Sequence, residues 1–371
     1  MLDPTKLSPI SPLLGRGVPF RFSGTTDLGE TPAEIPQPPV LKDELPPPAD
    51  GEGELPDMTI AQVADLIRNK NLSPVELVQA FLIRIERVNP VMNAFITVTA
   101  NVALEQARQA EAEIQRGEYK GPLHGVPLAL KDLLCTAGIL TTGATAALSD
   151  WVPREDAEVW RRLKASGAVL LGKLNLNEMA AGTSGLNPFY GPARNPWNIH
   201  HVTGGSSSGS GSAVAASMCL GSVGSDTGGS IRYPASFCGV TGLKPTFGRV
   251  STRGAIYLSW SRDHLGPMTK TVEDAAIMLN SMAGYDPLNP LSAPVQEEDF
   301  TAQLGNSLRG MRILVPAPSF IQTMMAGTGE DESLSMPDPE VMDAVQRATE
   351  VLRSLGAEIR EVDLAGLERL K

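Results

Sequence analysis

Residues 204–230, with the sequence GGSSSGSGSAVAASMCLGSVGSDTGGS, constrain the fold of this chain more than any other stretch. Glycine has no Cβ, so backbone amides in such a stretch can approach a ligand closely. Serine adds hydroxyls that can donate or accept a hydrogen bond, or attack a carbonyl. Apolar residues interrupt the stretch in its middle, which argues against a flexible linker. The pattern therefore predicts the floor of a binding or catalytic site.

A phosphate-binding loop is the first chemistry that this stretch could serve. Residues 209–214, GSGSAV, imitate the start of a dinucleotide-binding fingerprint, but the third glycine is missing and the preceding HHVTGG is a poor strand. The chain also has no G-x-x-x-x-G-K-[ST] pattern. These departures argue against nucleotide binding.

A Ser-His-Asp triad is the second alternative, because residues 205–209 spell G-x-S-x-G. A nucleophile elbow of this kind requires a strand directly before it, and no clear strand is predicted there. The four histidines of the chain are His124, His200, His201 and His264. The adjacent pair, His200 and His201, is more typical of a loop than of a general base.

A serine activated by lysine is the third alternative. The run GPLHGVPLALKD is typical of a strand buried on both faces, and it ends at Lys131 and Asp132. Spacing alone favours a lysine whose ammonium group reaches solvent from the strand end. A basic role would require burial to lower the lysine pKa by several units. Within residues 228–231, two glycines could aim successive N–H groups at one point, and a helix beginning at Ser230 would add its dipole.

Helix and strand patterns alternate through the rest of the chain. Helices are predicted near residues 59–69, 73–88, 101–116, 156–166, 271–282 and 338–355. Strands are predicted near residues 94–98, 121–132, 168–171, 240–245, 312–315 and 357–364. This alternation predicts an α/β fold with a central mixed β-sheet covered by helices on both faces.

The chain divides into two predicted parts at about residue 57. Residues 1–57 hold 12 of the 30 prolines. Proline at this density blocks helices and central strands, so we expect an extended or disordered arm. Residues 58–371 are predicted to form one domain. Because the chain ends directly after a predicted strand, we expect this domain to be incomplete at its C-terminus.

Composition limits the partners and the location of the protein. The net charge of −11 argues against nucleic acid or an anionic membrane as a partner. No apolar run is long enough to span a membrane, and the N-terminus lacks the features of a secretory signal, so a cytoplasmic location is expected. The three cysteines form neither a disulfide framework nor a C-x-x-C metal site. We expect no metal and no cofactor.

The order of these motifs resembles the amidase signature family of Ser–cis-Ser–Lys amidohydrolases, over residues 58–371. The resemblance is carried by residues 204–250, by the upstream segments GVPLALKD and GKLNLNE, and by the downstream segment GPMTKTVEDAA. It implies hydrolysis of a carboxylic acid amide to an acid and ammonia or an amine. The reaction would proceed through a serine acyl-enzyme without metal or cofactor.

The resemblance also implies a role for individual residues. Lys131 matches the general base, Ser206 the bridging serine with a cis peptide bond, and Ser230 the nucleophile. The backbone amides expected to form the oxyanion hole are those of Thr227, Gly228, Gly229 and Ser230. Supporting roles fall to Ser207, Asp226 and Arg232. The family's usual SSGGS is SSSGS here, because Ser208 replaces a glycine.

The choice between members of this family depends on residues 181–198, AGTSGLNPFYGPARNPWN. This segment resembles general amidases more than the glutaminase component of tRNA-dependent amidotransferases. We therefore expect a free-standing amidase with a small-molecule amide substrate, with a homodimer as a candidate assembly. The alternatives are a glutaminase component that needs amidotransferase partners for Glu-tRNA(Gln) or Asp-tRNA(Asn), and an inactive truncated relative.

Overall fold

The computed structural model describes residues 36–44, 54–295, 298–317 and 338–362. The chain divides into two compact units, Met1–Ala302 and Gln303–Lys371. Most of the predicted arm lies outside the described residues, so its conformation stays a prediction. Its described part contacts the rest of the first unit, because the N–H of Lys42 donates to the carbonyl of Pro90 at 3.1 Å.

Seven α-helices lie in the described part of the first unit. They are α1 Ile60–Arg68, α2 Pro74–Met92, α3 Ala100–Gln115, α4 Glu158–Ala165, α5 Ser208–Ala215, α6 Arg232–Cys238 and α7 Val272–Met282. The predicted helix starts are confirmed where the cap is local. Thr59 and Gln62 form a reciprocal capping box, and the Ser73 hydroxyl accepts the N–H of Val75 in front of a proline.

The central sheet has six strands in the order β1-β3-β2-β6-β8-β7. Their bounds are β1 Phe95–Val98, β2 Pro127–Lys131, β3 Val169–Leu174, β6 Gly221–Asp226, β7 Thr241–Gly242 and β8 His264–Thr269. Strands β3, β2 and β6 are parallel, whereas β1, β8 and β7 pair antiparallel with their neighbours. The predicted mixed sheet is confirmed. A separate ribbon pairs β4 Arg194–Asn195 with β5 Asn198–Val202.

Both faces of the sheet are covered. Every residue of β2, β3 and β6 is buried. Because successive side chains of a strand point to opposite faces, this pattern requires packing on each side. The sheet is therefore flanked by helices, as predicted. None of the helices in the described ranges is long and apolar enough to cross a membrane.

Two central strands, β6 and β8, are absent from the predictions. The sequence of β6, GSVGSD, has little of the β-branched and aromatic content that favours strands. Close packing explains its composition, since a Cβ at Gly221 would lie 2.6 Å from the sulfur of Met278. The strand predicted over 240–245 is limited to β7, and the helix predicted to begin at Ser230 begins at Arg232.

The second unit contains a parallel pair of strands, β9 Arg312–Pro316 and β10 Glu358–Val362. The helix Pro339–Ser354 precedes β10, and the Asp338 side chain caps it by accepting the N–H of Glu340 at 2.9 Å. The predicted helix and strands of this region are confirmed. Residues 363–364 of the last predicted strand lie outside the described residues.

Gly209→Ala tests whether close packing fixes the start of α5. A Cβ there would lie 2.4 Å from the carbonyl oxygen of Ala94 and 2.5 Å from the backbone nitrogen of Asn175. Alanine favours helices by about 1 kcal/mol over glycine, but forcing a backbone shift costs about 1–3 kcal/mol. We expect urea unfolding to show a net loss of stability.

The exposed Val102→Ala in α3 is the control, because it gains helix propensity without a steric clash. It should leave stability unchanged or slightly higher. A stability gain in Gly209→Ala equal to that of the control would contradict the packing argument.

Candidate active site

The candidate site lies where the parallel strands β2 and β6 end. Lys131 is the last residue of β2, and Asp226 is the last residue of β6. Residues 204–207 precede α5 and approach the same edge of the sheet. Because carboxyl ends of parallel strands form a common crevice, the topology brings together segments that are distant in the chain.

Lys131 is fully buried, and its Nζ lies within hydrogen-bond distance of three serine hydroxyls. The Nζ to Oγ distances are 2.7 Å to Ser206, 3.0 Å to Ser207 and 2.9 Å to Ser225. The solvent-reaching lysine that spacing alone favours is therefore wrong. Strand β2 has sheet neighbours on both sides, which keeps its last residue away from water.

The hydrogen bonds of the Ser207 hydroxyl determine whether it donates to the Lys131 amine or accepts from it. Its hydroxyl donates to the carbonyl of Ser225 at 3.1 Å, so towards Lys131 at 3.0 Å it is an acceptor. A neutral lysine has two N–H donors and one lone pair. With Ser207 as one acceptor, the second N–H can point to the hydroxyl of Ser225, and the lone pair can then face the hydroxyl of Ser206. The arrangement can take a proton from Ser206.

Burial lowers the pKa of Lys131 to about 7, while the negative charges of Asp263 and Asp226 act in the opposite direction. A buried ammonium loses its hydration, and hydroxyl groups compensate for that loss only in part. Near neutral pH a substantial fraction of Lys131 is therefore unprotonated. An unprotonated amine beside a hydroxyl is the requirement for a lysine general base.

Ser206 is held by its backbone. The Gly205–Ser206 peptide bond is cis, in agreement with the sequence resemblance. The N–H of Asn177 donates to the carbonyl of Ser206 at 3.2 Å. Glycine is required before it, since a Cβ at Gly205 would lie 2.1 Å from Oδ1 of Asn177. Ser208, which replaces a glycine of the family pattern, is accommodated in the first turn of α5.

Ser230 lies beside this pair and keeps a small exposed fraction of 7%. Its carbonyl accepts the N–H of Ser207 at 3.2 Å. Among the hydrogen bonds of the described residues, none joins the hydroxyls of Ser206 and Ser230. The backbone of Ser230 is thus attached to the segment that carries Ser206 and Ser207.

Asp226 and Arg232 hold the loop that carries Ser230. The Asp226 carboxylate accepts the N–H groups of Gly229 at 2.7 Å and Ile231 at 3.1 Å, and a bidentate pair from Arg232 at 3.0 Å. Burial raises the pKa of Asp226, but the hydrogen bonds of Arg232, Ile231 and Gly229 outweigh it and keep the pKa below its usual value. This carboxylate fixes the backbone on both sides of Ser230.

One of the four backbone N–H groups predicted to form the oxyanion hole is already hydrogen-bonded within the protein. The N–H of Gly229 is engaged by Asp226. No hydrogen bond within the described part of the chain engages the N–H groups of Thr227, Gly228 or Ser230. These three N–H groups are free to bind a ligand, whereas that of Gly229 holds the loop, and the oxyanion hole itself stays a prediction.

Three residues near the site have no counterpart in the sequence predictions. Ser225 contacts Lys131, Asp263 accepts the hydroxyl of Thr227, and a ring N–H of His264 donates to the carbonyl of Asp226 at 3.1 Å. Ser225 lies in β6, and His264 is the first residue of β8, directly after Asp263. If β6 and β8 had been recognised in the sequence, the end of β6 and the start of β8 would have placed these three residues at the carboxyl edge of the sheet.

A second buried lysine lies next to the site without joining it. Lys173 Nζ lies 3.3 Å from Asp132 Oδ1 and donates to the carbonyl of Leu134 at 2.8 Å. The other oxygen of Asp132 accepts two bonds from Thr142. Burial lowers the pKa of Lys173 and raises that of Asp132, while their mutual attraction opposes both shifts. This pair fixes the segment that follows β2.

The histidines do not supply a triad. The buried ring of His124 contacts Glu113 at 2.9 Å, and His200 and His201 lie in the exposed ribbon strand β5. Within the described ranges no histidine ring is hydrogen-bonded to Ser206 or Ser230. The same residues contain no cluster of three or more His, Cys, Asp or Glu side chains that could hold a metal ion.

Comparison with known proteins identifies relatives of the chain. A family model described as Amidase matches residues 76–370. The A subunit of glutamyl-tRNA(Gln) amidotransferase from Methylococcus capsulatus is 45% identical over 309 residues, which cover 83% of this chain and 61% of that protein.

Solved structures are also similar to this chain. Native peptide amidase from Stenotrophomonas maltophilia is 36% identical with a TM-score of 0.74, covering 83% of this chain and 62% of its own. A complex related to the evolutionary origins of an s-triazine catabolic enzyme is also 36% identical, with a TM-score of 0.76, covering 84% and 65%. The chain thus spans about three fifths of the length of the relatives it matches.

The lowered pKa of Lys131 predicts a pH dependence of stability. Between pH 7 and 10.5 the unfolded chain binds a proton at this lysine that the folded chain does not. The free energy of unfolding therefore gains about 1 kcal/mol per pH unit over this range. In urea titrations from pH 7 to 9, Lys131→Met should show a correspondingly shallower rise.

The exposed Lys164→Met in α4 is the control, with a pH slope like that of the unchanged chain. Equal slopes for Lys131→Met and the unchanged chain would show that Lys131 keeps an ordinary pKa.

Proposed function

The chain belongs to the amidase family, and from this membership we propose that its site hydrolyses a carboxamide through an acyl-enzyme on Ser230. The observation that carries the proposal is the buried amine of Lys131, 2.7 Å from the Ser206 hydroxyl. Ser206 and Ser207 are adjacent in sequence, and the backbone of Ser207 is bonded to Ser230. The amine thus contacts Ser206 directly, and the adjacent residue Ser207 links this segment to the backbone of Ser230.

In the proposed first step, the lone pair of Lys131 accepts the proton of Ser206 while Ser206 accepts the proton of Ser230. The Ser230 oxygen attacks the carbonyl carbon of the amide. The resulting oxyanion is stabilised by the N–H groups of Thr227, Gly228 and Ser230, an effect for which each lost donor typically costs about 10²–10³ in rate.

In the second step, the tetrahedral intermediate collapses and its C–N bond breaks. The proton returns from Lys131 through Ser206 to the leaving nitrogen, which departs as ammonia or an amine. Water then attacks the acyl-enzyme and gives its proton to Lys131 through Ser206. The bond from the acyl carbon to the Ser230 oxygen breaks, the carboxylic acid leaves, and the proton returns through Ser206 to the Ser230 oxygen. Asp226 and Arg232 act by holding the loop and transfer no proton.

For the substrate, we infer the side-chain amide of glutamine. The inference rests on the curated relatives, because an amidotransferase A subunit is 45% identical to this chain. Residues 181–198 favour a free-standing amidase, but the relatives do not support that preference. A peptide amide is the second candidate, because the peptide amidase shares the fold at a TM-score of 0.74.

Removal of the nucleophile or base should abolish activity. We expect Ser230→Ala, Ser206→Ala and Lys131→Ala each to lower ammonia release by at least about 10³-fold, as in other serine hydrolases. Ser230→Ala should also lose labelling by a fluorophosphonate probe. Ser149→Ala, on a loop serine outside the site, is the control and should retain full activity. Undiminished labelling in Ser230→Ala would refute the assignment of the nucleophile.

The two candidate substrates are separated by measuring ammonia release from glutamine and from an N-acetylated dipeptide amide. We expect the higher kcat/KM for glutamine, with a further increase when the partner proteins of a tRNA-dependent amidotransferase are added. Faster turnover of the peptide amide, with and without those partners, would favour the free-standing amidase instead. Ser230→Ala serves as the blank in both assays.

A further inference from the structure

We propose that Asp263 is a positioning residue of this site, which fixes the oxyanion loop through Thr227 and presents a negative charge to Lys131. The proposal rests on the proposed Ser230 mechanism. Neither the motifs of residues 204–230 nor the resemblance assigns a role to this carboxylate. It precedes β8 and is 7% exposed.

The first argument is the set of donors that Asp263 accepts. Its Oδ1 accepts the hydroxyl of Thr227 in a hydrogen bond. Its Oδ2 accepts the N–H of Leu258 at 2.8 Å and that of Ser259 at 3.1 Å. One side chain thus links the loop that carries the oxyanion-hole amides to the segment that precedes β8. Loss of the carboxylate would release Thr227 from this link.

The second argument is the rigidity of the Asp263 backbone. The N–H groups of Arg262 and Asp263 donate to the carbonyl of Ser259 at 3.0 and 2.9 Å. Residues 258–263 therefore form a closed turn around the carboxylate. A side chain anchored at its backbone and at three donors has little freedom to follow movements of Thr227, so it holds that residue in place.

The third argument is charge. The negative charges of two carboxylates, Asp263 and Asp226, favour the protonated form of Lys131 and raise its pKa, and the effect of Asp263 is the larger. The charge of Asp226 is compensated directly by the bidentate Arg232. The hydrogen bonds of Asp263 come from a hydroxyl and from backbone amides, which are neutral, and no ion pair to it is found within the described residues.

The remaining charged groups near Lys131 do not replace this effect. His264 bonds the backbone carbonyl of Asp226, and Lys173 is paired with Asp132 on the neighbouring strands. When Lys131 accepts the proton from Ser206, it becomes a buried cation. A carboxylate that forms no ion pair among the described residues stabilises that cation through space. Asp263 therefore assists the transition state without touching the substrate.

The test compares Asp263→Asn with Thr227→Val by the rate of fluorophosphonate labelling of the full chain between pH 5.5 and 9. Labelling of the unchanged chain should rise with pH around the Lys131 pKa of about 7. Asp263→Asn should label about 10–100-fold more slowly at pH 9 and reach half of its own maximum at a lower pH, because the protonated lysine loses a favourable charge. Thr227→Val should be slower, with an unshifted midpoint.

The exposed Asp65→Asn in α1 is the control for removing one charge, and it should match the unchanged chain. Thermal unfolding followed by circular dichroism establishes that each variant is folded. An unshifted midpoint in Asp263→Asn overturns the charge role, and an unaltered rate in Thr227→Val overturns the positioning role even if Asp263→Asn fails to fold. Labelling that persists in Ser230→Ala would instead refute the proposed function itself.

Discussion

The contact of a fully buried lysine amine with three serine hydroxyls is the interaction on which the rest of this structure depends. An amine without water must find its hydrogen-bond partners within the protein. Here they come from the segment before α5 and from strand β6, and Lys131 itself ends β2. The sheet must therefore be parallel at its centre and covered on both faces. An antiparallel centre would misplace the amine relative to these hydroxyls, and an uncovered face would expose it to water.

The density of glycine and serine in residues 204–230 follows from this requirement. Serine supplies the hydroxyls that replace water around Lys131, and glycine permits the backbone segments that carry them to approach one another. The Cβ distances at Gly205, Gly209 and Gly221 show contacts that no larger residue could make. A stretch that looks like a linker by composition is thus buried at every position except 215, 227 and 228.

Features determined by neighbouring residues could be predicted from the sequence, whereas features determined by distant contacts could not. The starts of α1 and α2 depend on Thr59 and Ser73, a few residues away. Strand β6 depends on packing against α7 residue Met278, far along the chain. The burial of Lys131 likewise depends on the strands on either side of β2, which the sequence of β2 does not predict. The roles of Lys131, Ser206 and Ser230 came from the resemblance, not from spacing.

The two buried lysines differ in the groups that surround their amines. Both are inaccessible to water, so burial lowers the pKa of each. Lys173 Nζ lies 3.3 Å from Asp132 Oδ1 and donates to the carbonyl of Leu134 and the hydroxyl of Thr141, and within the described residues no hydrogen bond joins it to a serine of the site. Within the described residues the Lys131 amine is hydrogen-bonded only to hydroxyls, and the carboxylates that favour its charged form, Asp263 and Asp226, form no ion pair with it. A neutral amine is therefore accessible near pH 7, while the distant charges stabilise the cation that forms when it accepts a proton.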